Sequence, residues 1–382
     1  MTMETKQEIF REKLAAYLAA DKAGKGRILD SVCDVSGCHR KAAMRRFRTL
    51  QTRDPAYRER RGRKVMYGAA VTDALRELWE IGNRICAERF HDEIPVYIRI
   101  MKRDGMWRHD GGATALLLHM SAGTMKARIA GFENVKKKGG RGTTKPSHLK
   151  EIIPVRRGPW QNPPPGFGEI DTVAHCGSTL LGDYCYTVQY TDVAVIWTCL
   201  AGQWNKGEEE TVRSIDRIRN HLPFWLLGID PDSGGEFINW HLEDWCRTRK
   251  IQMTRTRPYM KNDHARIEQK NYANIRHIVG YTRFDDERQV AVLNELYDTL
   301  EDYINFFLPS MKCVNKERIG SRYLKQYDKA KTAYARALEH PDIPDEVKKK
   351  LREKYATLNP KILKQKCDRM VRKLLSFRPK LR

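Results

Sequence analysis

The sequence has no apolar run long enough to span a bilayer, and its opening, MTMETKQEIFREKLAAYLAA, reads as a charged amphipathic helix rather than a targeting segment. It also has no Cys-x-x-Cys pair. Nine cysteines, an odd count, are scattered at 33, 38, 86, 176, 185, 199, 246, 313 and 367, which excludes a disulfide framework and points to a reducing cytoplasm. Acid is in short supply: 48 Asp and Glu stand against 71 Lys and Arg, a formal net charge of +23. Such an excess attracts polyanions, of which nucleic acid is the commonest. An acidic membrane surface is the rival partner, and the missing apolar run argues against it. What is present is apolar material for real cores, 41% of 382 residues, a length that suggests two or three domains.

The first part of the chain reads as all-helical. GKGRILDSVCDVSGCHRKAAMRRFRTL (24–50) has the outline of a helix-turn-helix, assigned to residues 1–70. Ile28, Leu29 and Val32 form one apolar stripe and DVSGC the turn. From about His39 a second helix turns Ala42, Ala43 and Phe47 inward and presents Arg40, Lys41, Arg45, Arg46 and Arg48 on its other side. A guanidinium-rich helix face suits the DNA major groove, although the same spacing fits a helical hairpin with a solvated basic face. A second helical unit spans 71–133. Leu75, Leu78, Trp79 and Ile85 recur at helical spacing, and Ser121 is placed to cap a further short helix. It is a second candidate DNA-binding unit. Residues 134–167 read as a basic, Gly- and Pro-rich linker, with Lys136, Lys137 and Lys138 as candidate phosphate contacts.

The texture then changes to mixed strands and helices over 168–307. GEIDTVAH, YCYTVQYTD and VAVIWTCL read as three antiparallel strands. A helix follows over KGEEETVRSIDRIRNHL, a doubly covered strand over PFWLLGI, a helix over NWHLEDWCRTR, a strand over IQMTRTR and a long helix over NDHARIEQKNYANIRHIVGY. The expected fold is therefore α/β, a mixed five-stranded sheet flanked by helices. Residues 308–382 read as a basic helical extension, either a further DNA contact or a dimerisation arm.

Three acids lie awkwardly for structural roles. Asp171 is mid-strand, Asp232 is on a Gly-rich loop after a buried strand, and Glu268 falls on the apolar stripe of Ala265, Tyr272, Ile275 and Val279. Gly234 and Gly235 let the backbone turn sharply after Asp232. Converging carboxylates are what hard divalent cations require, and two such ions about 4 Å apart can clamp a phosphodiester. Among 48 acids such triples also arise by chance, so the positions carry the argument rather than the spacing.

GEIDTVAHCGS, GIDPDSGGEFINWHLEDWC and TRTRPYMKNDHARIEQKNYANIRHIVGY resemble the three catalytic blocks of the retroviral-integrase superfamily, most closely the DDE transposases of bacterial insertion sequences. In that family the second Asp precedes Asn-Gly-Ser-Glu-Phe and the catalytic Glu lies 35 residues beyond; here Asp232 precedes Ser-Gly-Gly-Glu-Phe and 35 residues lie between it and Glu268. Ser233 departs from the usual Asn, and the retroviral zinc-binding His/Cys module has no counterpart. The resemblance covers about 155–325. It implies an RNase H-like core and a catalytic, metal-binding triad of Asp171, Asp232 and Glu268 with two Mg²⁺ (or Mn²⁺) ions. It also implies strand transfer between an element's terminal inverted repeats and target DNA, by a homodimer or higher assembly. Asp230 is a competing acid that the Gly-x-Glu-Phe alignment disfavours. Around the site, Arg257, Tyr259, Lys261 and Lys270 are candidate DNA contacts, Lys270 fitting a solvated helix face as well. Asn262 and Asn271 suit DNA contact or helix capping, His175 reads as a strand-end polar residue, and Trp240 and Trp245 read as core. A catalytically dead DNA-binding regulator and a metal-dependent nuclease without strand transfer are the alternatives.

Overall fold

A computed structural model describes residues 3–52, 66–132, 163–231, 236–254, 270–319 and 322–377. The chain divides into two units, Met1–Met66 and Tyr67–Arg382. In the first, helices α1 (Met3–Glu12), α2 (Leu14–Ala19), α3 (Lys22–Ser36) and α4 (Arg40–Thr52) enclose a small core of Phe10, Leu29, Val32, Ala43 and Phe47. Phe10 meets Phe47 edge-on at 5.1 Å and Tyr17 stacks on Phe47 at 4.2 Å. Asp21 caps α3 by accepting from the Gly24 amide at 2.7 Å. Asp34–Ser36 form the last turn of α3 rather than a loop: buried Ser36 donates back to the Val32 carbonyl, and only Gly37, at φ +65°, ends the helix.

The second unit begins with α5 (Ala69–Ile81), α6 (Ala87–Phe90), α7 (Ile94–Arg103), α8 (Gly111–Leu118) and α9 (Ala122–Ala130). The helical spacing over 71–90 does not mark one helix. Asn83 and Arg84 take positive φ, and Ile85 lies beyond the break, where its carbonyl accepts from Trp79 Nε1 at 3.0 Å. Ser121 caps α9 as the spacing predicts, accepting from the Thr124 amide. These helices share one hydrophobic core with the sheet described next. Tyr97 Oη donates to the Phe307 carbonyl at 2.9 Å and Tyr303 Oη to that of Ile81.

The sheet contains β1 (Phe167–Ala174), β2 (Cys185–Asp192), β3 (Thr198–Trp204), β4 (Gly228–Pro231) and β5 (Gln252–Met253) in the order β3-β2-β1-β4-β5. β1, β2 and β3 are antiparallel, whereas β1–β4 and β4–β5 are parallel. Helices α10 (Glu208–His221) and α11 (Trp240–Thr248) cover one face. The long α13 (Arg288–Phe307) covers the other and runs along the β3 edge; it follows a short helical segment, α12, made of a π-helix over Asn271–Arg276 and an α-helical turn over His277–Val279. A side chain at Gly202 would meet Leu293 Cβ of α13 at 2.9 Å, so that residue must be glycine for the helix to approach. This is the expected α/β architecture, a five-stranded mixed sheet flanked by helices.

The free edge of β3 is closed by α13 side chains. Asn294 pairs with both backbone groups of Gly202, Glu301 accepts from the Leu200 amide at 2.7 Å, and Asn305 pairs with both groups of Thr198. These groups satisfy an edge that would otherwise template aggregation. Glu301 also holds His221 Nδ1 at 3.0 Å, and that contact raises the imidazole pKa above its usual 6.5. A raised pKa means that the stabilisation is complete below pH 6.5 and is lost as pH rises through the shifted value. Urea-unfolding stability is therefore expected to fall with pH across that window, and His221→Gln is expected to flatten the fall.

Several strand readings are corrected. VAVIW is a buried turn, not the start of β3: the Asp192 carboxylate accepts from the amides of Val195 (2.8 Å) and Gly166 (2.7 Å) and so closes the hairpin. Its apolar residues sit beneath the C-terminal segment, where Lys312 Nζ reaches the Ala194 carbonyl. The PFWLLGI strand is reduced to Gly228–Pro231, with Trp225 80% exposed outside it. Trp240 is exposed rather than core, while Trp245 is buried.

Residues 308–382 are not all helical. A hairpin, β6 (Cys313–Ile319) and β7 (Arg322–Tyr327), precedes α14 (Ala333–Glu339), α15 (Asp345–Thr357) and α16 (Pro360–Leu375). Lys, Arg, Gln and Leu favour helix locally, but antiparallel pairing overrides that preference. All nine cysteines are free thiols, five of them buried. Among the described residues no helix is long and apolar enough to cross a membrane.

Candidate functional site

Asp171 follows the last residue pair of the β1–β4 ladder, Ile170 with Pro231. Its half-buried carboxylate is held from two sides. The Thr172 amide donates to Oδ1 at 2.8 Å, and Asn271 Nδ2 donates to Oδ2 at 2.6 Å. Because a carboxylate only accepts, this bond fixes the Asn271 amide orientation. Asn271 Oδ1 is then left buried with no hydrogen-bond partner. Arg276 anchors the same helical segment to the sheet by donating to the Ala174 carbonyl at 2.6 Å, and burial lowers its pKa.

Strand alternation sends the neighbouring Thr172 to the opposite face, where a second cluster forms. Thr172 Oγ1 donates to Glu236 Oε1 at 2.8 Å, and Lys206 Nζ lies 2.6 Å from the same oxygen. The Lys206 ammonium also sits 5.4 Å from the centre of the Tyr186 ring. Asn239 donates to the Glu236 carbonyl and caps α11 with its own oxygen. Buried Glu236 thus ties β1, the exit of β3 and the entry of α11 together. Sequence reasoning gave Thr172 and Lys206 no role, and Glu236 entered only through its motif; a lone Gly-Gly-Glu-Phe was the available signal.

The remaining candidates separate clearly. Asp232 and Glu268 lie outside the described residues, as do Lys136, Lys137, Lys138, Arg257, Tyr259, Lys261, Asn262 and Ala265. Asp230 sits within β4, fully buried, and accepts from Thr254 Oγ1 at 2.6 Å. Lys270 is half-buried rather than solvated; burial first, then Arg89 and Arg336, pushes its ammonium down to about 8. Tyr272 is exposed while Ile275 and Val279 are buried, so the stripe drawn through all three does not hold. The π-turn over Asn271–Arg276 adds a residue to the helical repeat and rotates Tyr272 outward. His175 is fully buried behind β1 and bonds Thr187 Oγ1 at 2.7 Å; burial pushes its pKa down to about 3, so it is neutral. Arg40, Lys41, Arg45 and Arg48 are exposed on α4. Arg40 pairs with Asp30, and Arg46 is half-buried over the Phe10 ring at 5.3 Å. Among the described residues, no group of three or more His, Cys, Asp or Glu is placed to hold a metal ion.

Comparison with known proteins adds one relative. The chain is 34% identical over 346 residues to "Uncharacterized protein y4rM" of Sinorhizobium fredii (strain NBRC 101917 / NGR234), with 90% of this chain and 95% of that protein covered. The chain belongs to the y4rM family. No protein-family model matches the sequence.

The Asn271 bond to Asp171 yields a direct expectation. Asn271→Ala leaves the fold intact but removes one support of the carboxylate. Were Asp171 a metal-holding carboxylate, losing the group that orients it would be expected to lower metal affinity or activity by about 10–100-fold, with an unchanged thermal midpoint as the control.

Proposed function

We propose that the chain is a DDE-type polynucleotidyl transferase, a transposase that cleaves the ends of a mobile element and joins the 3′-hydroxyls to target DNA. The observation that carries this reading is the 2.6 Å hydrogen bond from Asn271 to Asp171. Asn271 stands three residues after Glu268 in the sequence. The parallel neighbour of the Asp171 strand ends at Pro231, and Asp232 is next in sequence. Both neighbours of Asp171 therefore lead to the other two acids of the motif. The order β3-β2-β1-β4-β5, with three antiparallel strands and two parallel ones, supports an RNase H-like core. Ligands of open α/β sheets sit at the strands' carboxyl ends, and Asp171, mid-strand in β1, lies level with the carboxyl end of its parallel neighbour β4.

The donor chemistry at Asp171 fits a hard cation. A carboxylate and an amide oxygen without a hydrogen-bond partner, Asn271 Oδ1, stand side by side. Asp171, Asp232 and Glu268 would hold the ions, which when bound supply activation of the attacking oxygen and stabilisation of the leaving one. The chain's own residues do the positioning. Thr172 and Asn271 fix the Asp171 carboxylate, and Glu236, held by Thr172 and Lys206, braces the chain where it leaves the Asp232 loop. Duplex DNA is the proposed partner, bound by the +23 charge and by α3 and α4 acting as a helix-turn-helix. Incubating the full chain with Mg²⁺, a labelled duplex of the element's end and a target plasmid tests the proposal. Joined product supports it; cleavage without joining, or binding alone, replaces it with the nuclease or the regulator.

A further inference from the structure

The hairpin β6–β7 has no part in the chemistry above. It forms a sheet of its own, with Val314 61%, Leu324 51% and Tyr327 51% exposed. A lone two-stranded hairpin is marginally stable in water. Its register sets Lys316 opposite Lys325, a like-charge pairing that weakens it further. Its root, by contrast, is firmly held. Ser310 and Lys331 exchange backbone hydrogen bonds, the Lys312 amide donates to Asp328 at 2.6 Å, and nearly buried Arg336 clasps both Asp328 and the Ser310 carbonyl. A firmly rooted ribbon with exposed Val314, Leu324 and Tyr327, whose register sets Lys316 opposite Lys325, is suited to a partner that supplies negative charge.

We propose that β6–β7 is a duplex-DNA contact, a basic two-stranded ribbon that lies in a groove or along the phosphates. The major groove of B-DNA admits such a ribbon. Between Cys313 and Tyr327 the basic residues are Lys316, Arg318, Arg322 and Lys325, and the single acid is Glu317. A polyanion relieves the Lys316–Lys325 opposition, whereas a second copy of the same ribbon would aggravate it. The inference shares with the proposed function only the premise that the partner is duplex DNA, and it is read by binding rather than by catalysis.

The test is a salt series of equilibrium binding of the full chain to a fluorescent duplex of arbitrary sequence. Lys316→Gln with Lys325→Gln is expected to weaken binding and to reduce the slope of log affinity against log salt by about 2. Glu317→Gln is expected to strengthen binding. Thermal midpoints should not fall, since removing opposed lysines removes a repulsion. Unchanged affinity and slope in both variants would overturn the inference. So would a lysine variant that binds DNA normally but changes oligomeric state by light scattering, which would make the ribbon an arm for a second copy. Wild-type protein that binds in this assay but joins no DNA sinks the proposed function and leaves the ribbon standing.

Discussion

Asp171→Asn is expected to reduce strand transfer by about a thousandfold or more while leaving DNA binding within about twofold. A carboxylate that holds a catalytic cation accounts for several kcal/mol of transition-state stabilisation, and about 4 kcal/mol is a thousandfold in rate. Asn is nearly isosteric with Asp and keeps an acceptor for the Thr172 amide, now at 2.8 Å from Oδ1. Its NH₂ then faces Asn271, whose amide can flip to present the oxygen that the wild-type site leaves unpaired. The substitution therefore removes charge without disturbing the strand. Chelation of divalent ions should reproduce the loss in the wild-type protein, and added Mg²⁺ should reverse it. If Asp171→Asn joins DNA at the wild-type rate, Asp171 is a structural acid and the proposed active site is wrong.

Arg283→Ala is expected to destabilise the second unit by about 3–5 kcal/mol, the usual result of breaking a buried ion pair by removing one partner. Arg283 and Asp285 are both buried, with Nε 2.9 Å from Oδ2. The rest of the guanidinium donates to the carbonyls of Cys176, Thr179, Leu181 and Asp183, gathering the whole β1–β2 loop around one side chain, and stacks over Tyr184 at 5.1 Å. Truncation leaves the Asp285 charge and those carbonyls without their donor at once. Arg283→Ala combined with Asp285→Ala should recover part of the loss, because the buried charge that lost this donor is then removed as well. Denaturant unfolding of the three variants checks this, and a single-variant loss below about 1 kcal/mol would show that water replaces the guanidinium. This loop leads directly from the strand of Asp171, so the single variant should also lower strand transfer.

Where local physics is strong, the sequence is readable. Ser121 capping α9, the acids that open α10 and the apolar–polar alternation of Tyr186, Val188 and Tyr190 with Thr187, Gln189 and Thr191 in β2 need only their neighbours to take their forms. It misleads where tertiary contacts reverse a local preference. VAVIW carries the composition of a strand and bends because the carboxylate of Asp192, the residue just before it, accepts from the Val195 amide and from the amide of Gly166, 26 residues away. CVNKERI and RYLKQY carry helix formers and pair as strands because the clasp of Arg336 and Asp328 brings their ends together.

The candidate site divides in the same way. That Asp171 is an acid on a half-buried strand follows from its own segment. That Asn271 supports it, and that Glu236 joins Thr172 to Lys206, does not. Those partners are 100, 64 and 30 residues apart along the chain, and no local pattern encodes such meetings. Composition, charge and periodicity determined that this is a basic chain with a helical front, an α/β centre and acids in places where acids are costly. Only the tertiary structure decided which neighbours hold Asp171, which tryptophans face solvent and that a charged ribbon stands on a buried clasp. Burial and hydrogen-bond satisfaction belong to the packed whole rather than to any segment of it.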